Sequence, residues 1–149
     1  MAGWVKEEVV RRGLQENFIL LGRYPIDRML SFYQHADALL VTLKSDPVFS
    51  MTLPGKVQSY LACGKPFVAA LDGAAGKLAT ESRAAMTCPA GDAQALADAV
   101  SKMALFSRAE RAEMGKRGKE YYAFHFNRQL LLGRCEGWMS ELVSANAAG

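Results

Sequence analysis

The hydrophobic and polar positions along this chain alternate between short, uniformly apolar runs and longer stretches with helical spacing. The apolar runs predict four β-strands, of which the last is the weakest: Phe18–Leu21, Ala38–Leu43, Phe67–Leu71 and Met86–Cys88. The stretches with apolar residues three or four positions apart predict helices at 4–12, 26–36, 56–63, 77–82, 92–106, 107–124 and 128–143. Short strands that alternate with helices are typical of βαβ units. The pattern therefore predicts an α/β fold with a parallel sheet of about four strands, helices on both faces and a helical C-terminal tail over about 107–144.

Capping residues set several of these boundaries. Gly64 is suited to the left-handed turn that ends a helix. Asp92 can accept hydrogen bonds from the free N–H groups of the helix that follows it, and Asn127 can do the same for the last helix. Ser107, with Glu110 three residues later, forms a capping-box pattern. Residues 44–53 carry no helical pattern and are predicted as a loop.

No internal repeat and no long linker divides the chain, so residues 1–149 are expected to form a single domain. The order of the predicted elements is unusual, because the chain opens on a helix. A doubly wound domain normally begins with a strand.

Composition and charge exclude several classes of protein. The chain of 149 residues is 50% hydrophobic and 22% charged, and its net charge of +3 is too weak to favour nucleic-acid binding. Cys63, Cys88 and Cys135 have no Cys or His neighbour at zinc-ligand spacing, so we expect no metal site and a reduced, cytoplasmic chain. No apolar stretch approaches the roughly 20 residues that span a bilayer. Charges at 6–8 interrupt any segment similar to a signal peptide.

Parallel α/β sheets bind ligands beyond the carboxyl ends of their strands, which directs attention to the loops there. These loops are Gly22–Pro25, Lys44–Leu53 and Asp72–Gly76. The second leads into 53–56, where a helix is predicted to begin with Gly55 and the cation Lys56. The exposed N–H groups and the helix dipole favour a phosphate at such a start. Pro and Gly are also common at ordinary helix starts, so the local pattern alone leaves a purely structural role open.

Familiar catalytic patterns are missing from the sequence. It contains no G-x-G-x-x-G, no Walker lysine loop and no G-x-S-x-G nucleophile elbow. His35, near a predicted helix end, and His125, between two phenylalanines, are expected to pack or cap. Cys63 is expected to be a small core residue, and the charged stretch 108–119 a solvated helix face. No catalytic residue is therefore predicted.

Several segments in register resemble one known family. Residues 53–66, L-P-G-K-V-Q-S-Y-L-A-C-G-K-P, are similar to the P-S-K-x-x-E/S-Y-x-A-x-G-x-P pattern of bacterial glycosyltransferases of the retaining GT-B class, in its family 4. Residues 18–25 resemble a strand and turn of that family, 33–41 its Y-x-x-A-D-x-x-x-V, and 89–96 its P-x-x-D-x-x-x-L. The resemblance runs from Met1 to about Val143. It identifies the chain as the C-terminal, donor-binding Rossmann-like domain of such an enzyme, truncated at its N-terminus.

In that family two Rossmann-like domains face each other, and the C-terminal one holds a nucleotide-diphosphate sugar. The site residues that the resemblance implies are Leu53, Pro54, Gly55 and Lys56 for the diphosphate, and Gly22, Arg23, Tyr24, Gln58 and Ser59 for the vicinity of the ribose and base. Backbone N–H groups and a lysine can neutralise a pyrophosphate without a metal. We therefore expect no cofactor, and a nucleotide sugar, expected to be UDP-linked, as substrate.

Three features depart from the family pattern. Many members carry two glutamates eight positions apart, where this chain has Met51 and Ser59, and neither can accept two ribose hydroxyls as a carboxylate does. A subset of the family shows the same Gln-Ser-Tyr-Leu-Ala form. Gly55 replaces the usual serine of the phosphate loop. An acceptor domain is lacking, so the implied hexosyl- or N-acetylhexosaminyltransferase of bacterial polysaccharide biosynthesis is expected to be inactive as an isolated chain.

The resemblance leaves open an N-terminal acceptor domain or a second copy of the chain as partner, and a membrane-surface acceptor in the full enzyme. Two other functions also stay open. One is a non-catalytic α/β binding or regulatory module derived from this fold. The other is a sugar-nucleotide epimerase, whose catalytic carboxylates and histidine have no evident place here. The family's sheet order puts two missing strands between Phe18–Leu21 and Ala38–Leu43, so we expect these two to pair directly or across a dimer.

Overall fold

The computed structural model describes residues 2–147. Residues 1, 148 and 149, which the predicted single domain includes, lie outside the described residues. The helices are α1 (Ala2–Arg11), α2 (Met29–His35), α3 (Pro47–Ser50), α4 (Gly55–Cys63), α5 (Gly73–Glu81), α6 (Ala93–Leu105), α7 (Arg108–His125) and α8 (Arg128–Ala147), and the strands are β1 (Leu39–Thr42), β2 (Phe67–Ala70) and β3 (Ala85–Cys88). A short 3-10 turn, Ile26–Arg28, leads into α2.

The described strands form one parallel sheet in the order β1-β2-β3. Leu39 pairs with Phe67 and Phe67 with Ala85, and the register continues evenly until Thr42, Ala70 and Cys88 lie side by side. Parallel neighbours need a crossover, and α4 and α5 supply the two crossovers here. The structure confirms the predicted α/β fold with a parallel sheet and a helical C-terminal tail.

Two hydrophobic layers cover the sheet, one on each face. Alternate residues of a strand point to opposite faces, and accordingly Phe67 packs in one layer with Leu61 of α4 and Leu78 of α5. Val68 packs in the other layer with Met103 of α6. Phe67 and Leu61 have no exposed surface. The helices therefore lie on both faces of the sheet, as predicted.

The strand predicted at Phe18–Leu21 is not formed. These four residues lie in a segment without regular structure, and between 48% and 72% of each is exposed. An apolar run indicates a preference for burial, but a strand also needs a neighbour that accepts and donates its main-chain hydrogen bonds. The described sheet consequently has three strands rather than about four, and direct pairing of this segment with β1 is not found within 2–147.

Local capping explains several element boundaries. Asp92 accepts a hydrogen bond from the Ala95 amide at 2.9 Å, and the Ser107–Glu110 capping box is formed. Gly64 ends α4 with φ of 68°, in the left-handed region. The predicted loop at 44–53 instead contains α3, because Asp46 accepts from the Val48 amide at 2.8 Å and Pro47 stands in the first helical turn.

Helix α4 is fixed to the sheet by Tyr60. Its hydroxyl donates to the carbonyl oxygen of Leu40 in β1 at 3.0 Å. Its ring makes edge contacts with Tyr33 and Phe67, with centroid distances of 5.3 and 5.7 Å. Burial raises the pKa of Tyr60 to about 12. The hydroxyl therefore remains a neutral donor over the ordinary pH range.

The turn that follows α4 holds α2 in place. The Lys65 ammonium donates to the carbonyl oxygens of Gln34 and Ala36 at 2.8 and 2.9 Å. These carbonyls lie at the C-terminal end of α2, where a cation is favourable for the helix dipole.

Helix α7 packs on α4 through glycines. A Cβ atom built on Gly115 would overlap the carbonyl oxygen of Gly64, and one on Gly118 would lie 2.7 Å from the Cβ of Ala84. Neither position has room for a side chain. The absence of side chains at 115 and 118 thus allows α7 to approach the main chain at the end of α4.

Helix α8 contrasts with this packed body. Every described side chain from 128 to 146 is exposed. Leu131, Trp138 and Leu142 share one face of the helix by their spacing. Within residues 2–147, no helix is long and apolar enough to cross a membrane.

We predict that Tyr60→Phe lowers the free energy of unfolding by about 1 kcal/mol at pH 7, because the hydrogen bond to Leu40 is lost. The difference in the free energy of unfolding between the wild type and Tyr60→Phe should narrow at high pH. A folded pKa of about 12 against an ordinary value of 10 means that Tyr60 contributes stability below pH 10, and that this contribution is lost as the pH rises through 12. Denaturant unfolding of both proteins at pH 7 and between pH 10 and 12 measures the gap. A gap that does not change with pH would contradict the assignment.

We predict that Gly115→Ala destabilises the chain by about 1 to 3 kcal/mol, because the new methyl group overlaps main-chain atoms that cannot move aside. Gly137→Ala in α8 is the matched control, since nothing lies within 4 Å of its Cβ position. That change should stabilise by about 0.5 to 1 kcal/mol, the ordinary gain of alanine over glycine in a helix. Urea unfolding of both variants is the measurement, and an equal response would show that the close packing is not formed.

Candidate functional site

The three strands of the sheet end at one edge, since Thr42, Ala70 and Cys88 are register partners. The segments after them, which begin at residues 43, 71 and 89, therefore meet at this edge. Helices α4 and α5 start near this edge, because each of them leads from the carboxyl end of one strand back to the amino end of the next. Helix α6 also starts there, because it follows the carboxyl end of β3. This edge is the place where parallel α/β sheets bind ligands.

The start of α4 presents uncapped main-chain donors. Pro54 occupies the N-cap position with φ of −63° and ψ of 131°, and no side-chain hydrogen bond caps the helix. Lys56 is exposed in the first turn, and Leu53 and Gly55 are exposed beside it. A Cβ atom on Gly55 would meet nothing within 4 Å. The four predicted diphosphate residues thus form one continuous, accessible helix start with a positive end of the dipole and a lysine.

Gln58 and Ser59 lie in the first turns of the same helix. Gln58 is half-buried and Ser59 is exposed. The Ser59 hydroxyl donates to the carbonyl oxygen of Gly55 at 3.0 Å, so its proton is used within the helix and its lone pairs can still accept. Met51, at the other position where many family members carry a glutamate, is 75% exposed. Neither position supplies a carboxylate.

Gly22, Arg23 and Tyr24 lie in the exposed segment before α2. The Tyr24 ring makes an edge contact with Phe32 of α2, with centroids 4.8 Å apart. Among the described residues, no hydrogen bond, ion pair or ring contact joins these three residues to the start of α4. The four predicted diphosphate residues are therefore contiguous at the start of α4, Gln58 and Ser59 lie in the same helix, and Gly22, Arg23 and Tyr24 lie in a different segment of the chain.

Asp72 links the three strand-end segments. One carboxylate oxygen accepts from the hydroxyl of Ser45 at 3.0 Å, and the other accepts from the amide of Ala90 at 3.0 Å. Ser45 follows β1, Asp72 follows β2 and Ala90 follows β3. Asp72 stands at the N-cap position of α5 and yet makes no capping hydrogen bond to that helix.

A family model described as glycosyl transferases group 1 matches residues 1–105, which is more than two thirds of the chain. The chain belongs to this family. No curated protein gives a match. The membership associates the fold described above with sugar transfer.

One solved structure has a similar fold. It is a sucrose-phosphate synthase from Thermosynechococcus elongatus, which is 20% identical and superimposes with a TM-score of 0.80 over 95% of this chain. The chain spans about a third of the length of that structure, 34%. The match confirms the predicted Rossmann-like fold of a GT-B domain.

The titratable side chains that are common in catalysis have structural surroundings in this glycosyltransferase domain. The Nδ1 atom of His35 forms a hydrogen bond with the carbonyl oxygen of Ser31 at 2.7 Å. The His125 ring packs on the Tyr121 ring, with 4.1 Å between the ring centroids. Cys63 donates to a carbonyl of its own helix, and burial raises the pKa of its thiol, which keeps it protonated. Within the described residues, no cluster of three or more His, Cys, Asp or Glu side chains could hold a metal ion.

An apolar cavity of about 300 Å³ lies away from the ligand edge. It is lined by Leu40 of β1, Val68 of β2 and Val100 of α6, among others. The one guanidinium on its wall, Arg111, already pairs with Asp37 at 3.3 Å. The lining of this cavity is therefore largely apolar, and its one guanidinium is already paired.

The hydrogen bonds of Asp72 are not predicted by the sequence pattern, which indicates only a loop at Asp72–Gly76. An Asp directly after a buried strand is a visible signal. Its partners are not visible, because Ser45 and Ala90 are 27 and 18 residues away along the chain.

Proposed function

We propose that this chain is the donor-binding half of a family 4 GT-B glycosyltransferase and that it binds a nucleotide-diphosphate sugar, UDP-linked, at Leu53, Pro54, Gly55 and Lys56. The observation that carries the proposal is the uncapped start of α4 at the carboxyl edge of the sheet, with Lys56 in its first turn. Family membership supports a role in sugar transfer and does not favour the non-catalytic alternative.

The chemistry of the α4 start suits a diphosphate. Free N–H groups point out of the first turn and carry the positive end of the helix dipole. Pro54 has no side-chain acceptor that would compete for them, and Gly55 leaves the main chain open to close approach by phosphate oxygens. Lys56 adds a mobile cation that can follow the charge of the two phosphates.

The nucleoside would extend from this helix start. We propose that Gln58 and Ser59 lie near the ribose, with the Ser59 hydroxyl as acceptor, and that Gly22, Arg23 and Tyr24 lie near the base. A planar guanidinium and an aromatic ring are suited to stacking on a base. These roles rest on the resemblance to the family.

The complete enzyme that we propose transfers a hexosyl or N-acetylhexosaminyl group in the bacterial cytoplasm, as a step of polysaccharide biosynthesis. An acceptor domain, or a second copy of this chain, would close the site from the other side, and the acceptor would lie at a membrane surface. The chain covers 34% of the sucrose-phosphate synthase that it matches, which supports a larger enzyme of this kind.

Lys56→Ala should weaken UDP binding by about 1 to 2 kcal/mol, or roughly 5- to 30-fold in Kd, because a charge-assisted contact to phosphate is lost. Isothermal titration calorimetry with UDP and with several UDP-sugars is the measurement. Lys116→Ala is the control, because it removes an equal charge from an exposed position of α7, which packs against the opposite end of α4 from the proposed site. Equal affinities for the wild type and Lys56→Ala would remove Lys56 from the site, and failure of the wild type to bind any of these ligands would overturn the proposed function.

UDP binding should not require a divalent ion. The proposed site has main-chain N–H groups and a lysine, and no paired carboxylates that would hold a cation against phosphates. Titration in excess EDTA should therefore give the same Kd as titration in Mg²⁺. Strict dependence on Mg²⁺ or Mn²⁺ would contradict this form of the site.

A further inference from the structure

The segment between β1 and α4 carries the proposed diphosphate site at its end, and two contacts hold it against α5. The first is the bond from the Ser45 hydroxyl to Asp72, at the beginning of the segment. The second is the approach of Ser50 to Gly73, at the end of α3. Gly73 has φ of 61°, and a Cβ atom there would overlap the carbonyl oxygen of Ser50.

Gly73 is therefore required on two counts. Its left-handed backbone is strained for any residue with a side chain, and its missing Cβ makes room for the Ser50 carbonyl. Only three residues separate Ser50 from Pro54. The position of the α4 start is thus closely determined by where α3 sits on α5.

Asp72 adds a link that reaches across the whole sheet edge. Both of its oxygens accept, one from the segment after β1 and the other from the amide of Ala90 after β3. An ionised carboxylate is an acceptor at both oxygens, which matches two donors that arrive from opposite sides. An Asp at a helix N-cap ordinarily accepts from its own helix, but Asp72 makes no such bond.

We infer that Asp72 is a positioning residue for the donor site. It holds the segment 45–53 in the place that presents the start of α4 to the diphosphate, and it acts through Ser45 rather than by touching the ligand. This inference rests on the proposed function, since the segment matters for binding only if the diphosphate binds at 53–56.

The test uses the full chain and two readouts. Hydrogen exchange of peptides that cover 43–53, measured without ligand, reports the link itself. UDP titration reports its effect on the site. Asp72→Ala should speed exchange in 43–53 and weaken UDP binding by about tenfold. Asp72→Asn should restore both to within about threefold of the wild type, because the amide oxygen can still accept from Ala90 and the Ser45 hydroxyl can accept from the amide group.

If Asp72 instead acted on binding only through its negative charge, the result would be different. A negative charge near the phosphates would oppose binding, so its removal in Asp72→Ala would tighten UDP binding. Tighter binding, or unchanged binding with faster exchange, would overturn the positioning role. Unchanged exchange in 43–53 would overturn the link.

Ser45→Ala keeps the inference testable if Asp72→Ala fails to fold. It removes one of the two links and should give faster exchange in 43–53 and weaker UDP binding than Ser140→Ala, whose hydroxyl bonds only within α8. Equal behaviour of these two variants would overturn the inference. If the wild type binds no UDP, the proposed function fails and the positioning role fails with it, while the exchange result still decides whether the link exists.

Discussion

The even register of the parallel sheet determines where everything else in this domain can lie. Because Thr42, Ala70 and Cys88 are partners, three strands stop together, and the chain must leave the sheet three times at the same edge. Each departure exposes main-chain groups that need partners. Asp72 accepts one hydrogen bond from the segment after β1 and one from the segment after β3, and it thereby connects the segments at this edge.

Capping then distinguishes the helix starts from one another. Asp46, Asp92 and Ser107 use their own side chains to cap α3, α6 and α7, and each of them occupies one of the free N–H groups of its helix start. Pro54 cannot cap α4, and Asp72 is occupied elsewhere. Among the helix starts that the structure describes at this edge, α4 and α5 are therefore the ones without a side-chain cap. The capping chemistry thus leaves the start of α4, where we propose the donor site, open to an anion.

Features decided by neighbouring residues could be predicted from the sequence, and features decided by distant contacts could not. Gly64, Asp92 and the Ser107–Glu110 pair determine their own turns, so those boundaries were predicted correctly. The prediction of a strand at 18–21 was wrong, because a strand forms only where a neighbouring strand can pair with its main chain, and an apolar sequence does not supply that neighbour. The diphosphate residues are contiguous and were expected together. Whether residues 22–24 reach the same ligand depends on the fold, and within residues 2–147 no hydrogen bond, ion pair or ring contact joins them to the start of α4.

The glycine contact between α4 and α7 has a mechanical consequence. Layers of side chains absorb small displacements by changing rotamers, but no such layer separates Gly64 from Gly115. The angle between α4 and α7 is consequently set by main-chain atoms in direct contact. Gly115 lies ten residues before the end of α7, about 15 Å at the helical rise, so any change in the angle between α4 and α7 would displace the end of α7, where α8 begins, more than the contact itself.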